Sequence, residues 1–316
     1  MDTNLIKDTL LNTYEIRKTE RQKTAFIEWA CDYAQDKGIA VSVEESGKLI
    51  RTRNILFGNV DKARIILTAH YDTCARMLLP NFTTPGCLPL FVLEQALLTL
   101  LIGLGGWLAG KGAYMLASAH MHPLLAGLLC ALAGTGGAML VLLLMLVGPA
   151  NPHTANDNTS GVLMILLAMQ RLRDQPGVAF VLFDNEEKGL FGSQAFIKAH
   201  PQAARRFLVN FDCVGDGDTL LYTGMKAGMR MPQAKRLLAA LERIAPEYGM
   251  KVISGDFPHW IYPSDQMLFP RGTAFAALKG KRILYMDRIH TASDTVLEER
   301  NIECLTKVIE ESVCSQ

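Results

Sequence analysis

The chain has 316 residues, with 32 Lys plus Arg against 31 Asp plus Glu and a net charge of +1. That balance excludes the basic field of a nucleic-acid binder, so no nucleic-acid partner is expected. Hydrophobic residues make up 49 % and mean hydropathy is +0.16, an excess concentrated between about residues 77 and 150; the length suits one large domain or two modest ones.

The seven cysteines, at 31, 74, 87, 130, 213, 304 and 314, form no C-x-x-C pair. This fits a reducing compartment and argues against a disulfide framework or a thiolate zinc knuckle. The start Met1-Asp-Thr-Asn is polar and lacks the pattern of a signal peptide.

In chain order, residues 1–38 read as helical. Thr19-Glu-Arg-Gln22 has the form of a capping box, Phe26, Trp29, Ala30 and Tyr33 share a face, and Gly38 is a stop. Residues 39–44 and 48–57 alternate like a pair of strands. Arg64 to Ala69 is an apolar run, read as a buried strand, that ends in His70-Tyr-Asp72. A histidine and an aspartate two apart at a strand end can be a metal ligand and the carboxylate that orients it, or an ordinary polar strand end.

The composition then changes. Residues 88–110 are apolar apart from Glu94, Gln95 and Thr99, and 124–148 contain no charge at all. Both are long enough for the roughly 20 apolar residues that a bilayer core requires. Gly105 with Ala109, and Ala133 with Gly137, place small residues at helical spacing for close packing. The reading is a transmembrane hairpin joined near Lys111 to His122; the other readings are a buried helix pair or an apolar lid. Glu94 is placed near the interface or against the partner helix.

After a turn-rich boundary at 148–152 comes Asp157-Asn-Thr-Ser-Gly161, leading into a helix from Val162. Asp157 can be simply its N-cap. Val178 to Phe183, short and rich in β-branched and aromatic residues, favours a strand over a helix and ends in Asp184-Asn-Glu186-Glu187. Two adjacent glutamates at a strand end can be a metal ligand and a general base, or an acidic turn starting a helix. Arg206 to Phe211 reads as a strand ending in Asp212. A helix follows over 231–248, a strand over 273–278, a last short strand over 282–286, then His290-Thr-Ala-Ser-Asp294 and a closing helix over 298–313.

Two histidines, His70 and His290, and three carboxylates, Asp157, Glu187 and Asp212, thus fall at element ends in an alternating α/β pattern. Imidazole and carboxylate donors suit zinc, with manganese or cobalt as alternatives. One bridging carboxylate and two further ligands per ion would hold two metals about 3.5–4 Å apart, leaving Glu186 free to accept a proton.

These residues resemble the co-catalytic dizinc exopeptidases related to bacterial leucine aminopeptidase, glutamate carboxypeptidase and glutaminyl cyclase. The family pattern H-x-D, D-N-x-S-G, E-E-x-G-x-x-G-S, a strand-end D and H-T-x-x-D reads here as His70-Tyr-Asp72, Asp157 to Gly161, Glu186 to Ser193, Asp212 and His290 to Asp294. The match covers most of 20–75 and 151–312. It implies a mixed central sheet flanked by helices, with two divalent ions, Zn²⁺ first. Asp157 would bridge them, His70 and Asp212 would complete one site, and Glu187 and His290 the other. Glu186 would be the general base and Asp72 would orient His70. Ser264-Asp265 resembles the family's S-D loop near the substrate pocket.

Two features depart from the pattern. The apolar hairpin is inserted between the first histidine and the bridging aspartate, and Asn151-Pro-His153-Thr-Ala-Asn156 replaces a simpler entry to that aspartate. His153 is read as a bystander rather than a pocket residue. The expected organisation is a discontinuous catalytic domain, 1–75 and 151–316, around a membrane hairpin, 76–150. The expected function is a multi-pass membrane aminopeptidase acting on peptides through a metal-activated water, with a lipid bilayer as partner and the catalytic domain in the cytoplasm. The alternatives are a carboxypeptidase, a deacylase or a glutaminyl cyclase of the same fold, or a silent membrane adaptor.

Overall fold

The computed structural model describes residues 3–77 and 81–314. The start Met1-Asp2 and residues 78–80 of the inserted stretch lie outside the described residues. The amino-terminal helical stretch is two helices, α1 (Thr3–Asn12) and α2 (Glu20–Gln35), separated by a non-helical link. The predicted capping box is formed: Thr19 accepts from the Gln22 amide while the Gln22 side chain accepts from the Thr19 amide. Because Thr19 is extended there, the helix must begin anew at Glu20 rather than continue from α1.

Strands β1 (Val41–Ser46), β2 (Thr52–Phe57) and β3 (Ile65–His70) follow, then α3 (Leu88–Ala117) and α4 (Pro123–Val147). A distorted turn at Ala155–Ser160 leads into α5 (Gly161–Leu172), β4 (Val178–Phe183), α6 (Phe191–Ala199) and β5 (Phe207–Phe211). The remainder is β6 (Thr219–Gly224), α7 (Lys226–Met229), α8 (Pro232–Ile244), β7 (Lys251–Asp256), β8 (Gly272–Leu278) and α9 (Glu299–Cys314). The strands form one mixed sheet in the order β1-β2-β4-β3-β5-β8-β6-β7.

The middle strands are buried on both faces, which is why they read as continuous apolar runs. Alternate residues feed different cores. Ile65, Leu67, Phe180, Leu182 and Val209 face α1, α2, α5, α8 and α9. Ile66, Val181, Phe183 and Leu208 pack with Phe196 and Phe269 on the other side. Strands β4, β3 and β5 are adjacent and parallel, so their carboxyl ends open at one edge. That edge is where open α/β sheets gather ligands.

The expected strand over 282–286 does not form. Tyr285 and Met286 make only single bridges, to Lys279 and Thr83, because the chain turns back at Gly280 (φ +103°) and leaves too short a run to form a ladder. Strands β6 and β7 and helix α6 had no clear sequence signal.

The two apolar helices pack antiparallel through a seam of small residues. A Cβ on Gly106 would stand 2.9 Å from the Gly134 carbonyl oxygen, so only glycine allows this approach. The seam passes through Gly134 as well as the predicted Gly105, Ala109 and Gly137. Helix α3 runs seven residues beyond the predicted end at 110. Lys111 therefore lies on the helix, over the Trp107 ring at 4.7 Å, and the connecting loop is correspondingly short. Both helices are long and apolar enough to cross a membrane, and their apolar windows are not covered by the rest of the protein.

Candidate metal centre

The edge of the sheet collects the predicted residues. His70 closes β3, Glu186 and Glu187 follow β4, and Asp212 follows β5. Asp157 enters from the turn before α5. Its Oδ1 lies 3.4 Å from His70 Nε2, and its Oδ2 lies 3.0 Å from His290 Nε2. His70 Nε2 is also 3.6 Å from Asp212 Oδ1, and His290 Nε2 is 3.3 Å from Glu187 Oε2. Asp157 thus divides the donors into two groups that share it. His70, Asp157 and Asp212 form one; Asp157, Glu187 and His290 form the other, joined by the buried Cys74 thiol. Cys74 was not legible as a neighbour from its sequence position.

Local hydrogen bonds explain this placement. His70 Nδ1 donates to the Asp72 carbonyl oxygen at 3.1 Å, which fixes the tautomer and leaves Nε2 facing the carboxylates. The Asp72 carboxylate is 3.6 Å from that ring and accepts instead from the amides of Glu186, at 2.9 Å, and Glu187, at 3.3 Å. It ties the β3 end to the acidic turn. Asp294 accepts from the amides of Asn156 and Asp157 at 2.9 and 3.0 Å, clamping the central carboxylate. Asn158 donates to the Phe211 carbonyl and accepts from the Cys213 amide, joining this turn to β5.

Two buried cations beneath the site were missed. The Arg17 side chain, fully enclosed, donates to the Tyr71 carbonyl and the Thr159 hydroxyl, while its amide meets Thr73. Lys23 pairs with Asp184 and lies 2.7 Å from Asn185 Oδ1. Both precede or sit on a helix that reads as amphipathic, and a basic residue there is normally solvated, so no sequence signal distinguished them.

The site is electrostatically crowded. Burial would raise Asp157, yet His290 and His70 hold it well below the usual carboxylate range. Burial pushes Glu187 up to about 8 and raises Glu186 well above its ordinary value, with Glu187 and Asp265 adding repulsion. Burial alone would lower His290, but Glu187 and Asp157 raise it to about 9. Glu187 Oε1 and Asp212 Oδ1 are buried with no hydrogen-bond partner. Orphaned carboxylate oxygens beside imidazole nitrogens are the donor set that divalent cations take, displacing protons as they bind.

The cleft above these groups has a volume of about 320 Å³ and is lined by His70, Asp157, Glu186, Glu187, Asp212 and His290, with Tyr262 at one side. Ser264 accepts from Asn210 Nδ2, and Asp265 is buried behind the cleft. His153 lies away from it, 3.3 Å from Glu15.

No curated protein sequence matches the chain. Among solved structures, the chain is similar to a Porphyromonas gingivalis glutaminyl cyclase at 15 % identity and TM-score 0.58, covering 99 % of this chain and 96 % of that one. It is similar to the Legionella pneumophila LapA aminopeptidase at 14 % identity and TM-score 0.56, covering 100 % and 70 %. The Fimbriiglobus ruber glutaminyl cyclase matches at 18 % identity and TM-score 0.55, covering 99 % and 93 %. These likenesses establish the mixed α/β fold. The sequence model of peptidase family M28 matches residues 113–309, which contain Asp157, Glu186, Glu187, Asp212 and His290, and the chain belongs to that family.

Proposed function

We propose that the protein is a dinuclear-metal aminopeptidase anchored in a membrane by the α3–α4 hairpin. The observation that carries this reading is Asp157, which turns one carboxylate oxygen toward His70 and the other toward His290. His70 and Asp212 would hold one ion, Glu187 and His290 the other, and Asp157 both. When bound, two divalent ions, Zn²⁺ by the donor set with Mn²⁺ or Co²⁺ as alternatives, supply Lewis acidity for activating water and polarising the scissile carbonyl.

The remaining chemistry belongs to the chain. Glu186, on the cleft wall beside His70, accepts a proton from the attacking water and returns it to the leaving amine. Asp72 holds the Glu186 and Glu187 amides and so fixes the base relative to the ligands. A free substrate α-amine meets a carboxylate-rich floor, which favours an exopeptidase acting at the amino terminus. A hairpin returns the chain to its starting side, so both halves of the catalytic domain share one compartment, here assigned to the cytoplasm. Digestion of the catalytic domain by protease added outside intact cells would overturn that assignment.

The test is hydrolysis of a panel of aminoacyl peptides by detergent-purified protein before and after chelation and zinc restoration. Release of the first residue that stops on chelation and returns with zinc supports the reading. Cyclisation of amino-terminal glutamine without hydrolysis would establish a cyclase, and no turnover with metal-replete protein would favour the silent adaptor.

A further inference from the structure

The cleft is closed on one side by the hairpin itself. Phe91, Gln95 and Leu98, four and three residues apart on α3, line it together with the proposed metal ligands. At the same level Val92, Leu93 and Leu97 leave the helix on its outer side, apolar and exposed. The segment is fixed from below, where the Ile261 amide donates to the Pro85 carbonyl and the Glu94 carboxylate accepts from the Phe82 amide.

The helix lengths place this wall relative to a bilayer. At a rise of 1.5 Å per residue the 30 residues of α3 span about 45 Å, roughly 15 Å more than a hydrocarbon core. Gly105 meets Gly137 and Val141, and Gly110 meets Cys130 and Gly134. Continued at equal rise, that register sets Val147, the end of α4, level with about residue 97 of α3. The excess of α3 therefore lies at its amino-terminal end, which carries the wall. Independently, Lys18 of the catalytic domain donates to the Leu146 carbonyl at 3.1 Å, marking the same level as the junction of domain and hairpin. A cation on the last carbonyls of a helix is favourable and suits the polar side of an interface.

We propose that α3 is a substrate-selecting wall: the cleft takes an apolar amino-terminal residue against Phe91 and Leu98, from a peptide held at the bilayer surface. This rests on the aminopeptidase reading. A peptide lying in the interfacial layer would reach the cleft past the apolar Val92, Leu93 and Leu97, whereas a polar first residue seated against Phe91 and Leu98 would lose its hydration with only Gln95 of that wall to hydrogen-bond it.

The test uses the full chain in vesicles of phosphatidylcholine and phosphatidylglycerol. Four peptides of otherwise identical sequence begin with Leu or Gln and end with or without a palmitoylated lysine. The expected kcat/KM is about tenfold higher for Leu than for Gln, and about tenfold higher with the palmitoyl chain than without it. Phe91→Ser combined with Leu98→Ser should collapse the Leu-to-Gln ratio. Each comparison is a ratio within one preparation, so loss of folded enzyme cancels, and Leu98→Ser alone is measured where the double variant is inactive. A Leu-to-Gln ratio unchanged by the wall variants, or a palmitoyl chain without effect, overturns the proposal. Equal hydrolysis of all four peptides overturns it while leaving the aminopeptidase standing; hydrolysis of none removes both.

Discussion

Around the cleft, charged groups are buried: His70 and Asp72 are 1 % exposed, Asp157 3 % and Asp184 0 %. Along the hairpin, leucines are exposed: Leu116 by 79 %, Leu124 by 76 % and Leu100 by 66 %. Either pattern alone would be costly in water. A buried charge needs a partner, and the Lys23–Asp184 pair and the paired carboxylate–imidazole contacts supply one. An exposed leucine forgoes about 1.5–3 kcal/mol of burial, so an apolar helix surface of this extent is costly wherever it meets water. The contrast is between a region that buries charge against charge and two helices whose length and apolar surface are sufficient to cross a membrane, with α3 contacting both.

The largest effect is expected where the chemistry of the cleft is altered and the hairpin is left untouched. Glu186→Gln should lower turnover by roughly 100- to 10,000-fold while metal content and membrane partition stay as they were. Near-native turnover by this variant would sink the base assignment. Lys23→Met leaves Asp184 uncompensated beneath the site and should destabilise the catalytic domain by about 3–5 kcal/mol, read by denaturant unfolding.

The hairpin has its own test. Gly134→Leu places a side chain where Gly106 and Gly110 leave no room, and should cost about 1–3 kcal/mol of hairpin packing. Cysteine crosslinking across the seam would register the separation; an unchanged crosslink would show that the helices are not held there. Asp294→Asn keeps the shape but faces one amide with a donor instead of an acceptor. Metal affinity should fall about 10- to 100-fold, measured by competition with a chelator.

The smallest effect expected is at the surface, far from both regions. His200 lies between Glu44 and Asp61. Burial alone would lower its imidazole, but hydrogen bonds to Asp61 and Glu44 raise it above its ordinary 6.5. A folded value above the unfolded one means that its stabilisation is complete below about pH 6.5 and disappears as pH rises through the folded value. His200→Gln should remove up to about 1 kcal/mol, and only on the acid side.

Much of the site was legible because its residues sit at the ends of continuous apolar runs. Isoleucines and valines buried on both faces of a sheet announce the strand, and the polar residue that ends the run is then conspicuous. His70, Glu187 and Asp212 were found this way. The edge strand β7 was not, since its half-covered residues, Lys251 to Asp256, lack such a run. The expected strand over 282–286 had the apolar residues, but the turn at Gly280 leaves only single bridges, from Tyr285 to Lys279 and from Met286 to Thr83.

By itself the sequence determined the order of the α/β elements, the two apolar helices and the residue types able to bind metal, because periodicity and donor chemistry are local properties. Only the tertiary structure decided which oxygen of Asp157 faces which histidine, that the Asp72 carboxylate grips two amides, and that Arg17 and Lys23 are buried. It alone set α3 against the cleft. Each of these depends on how segments far apart in the chain are packed together, and packing geometry has no signature in the spacing of residues along one strand or helix.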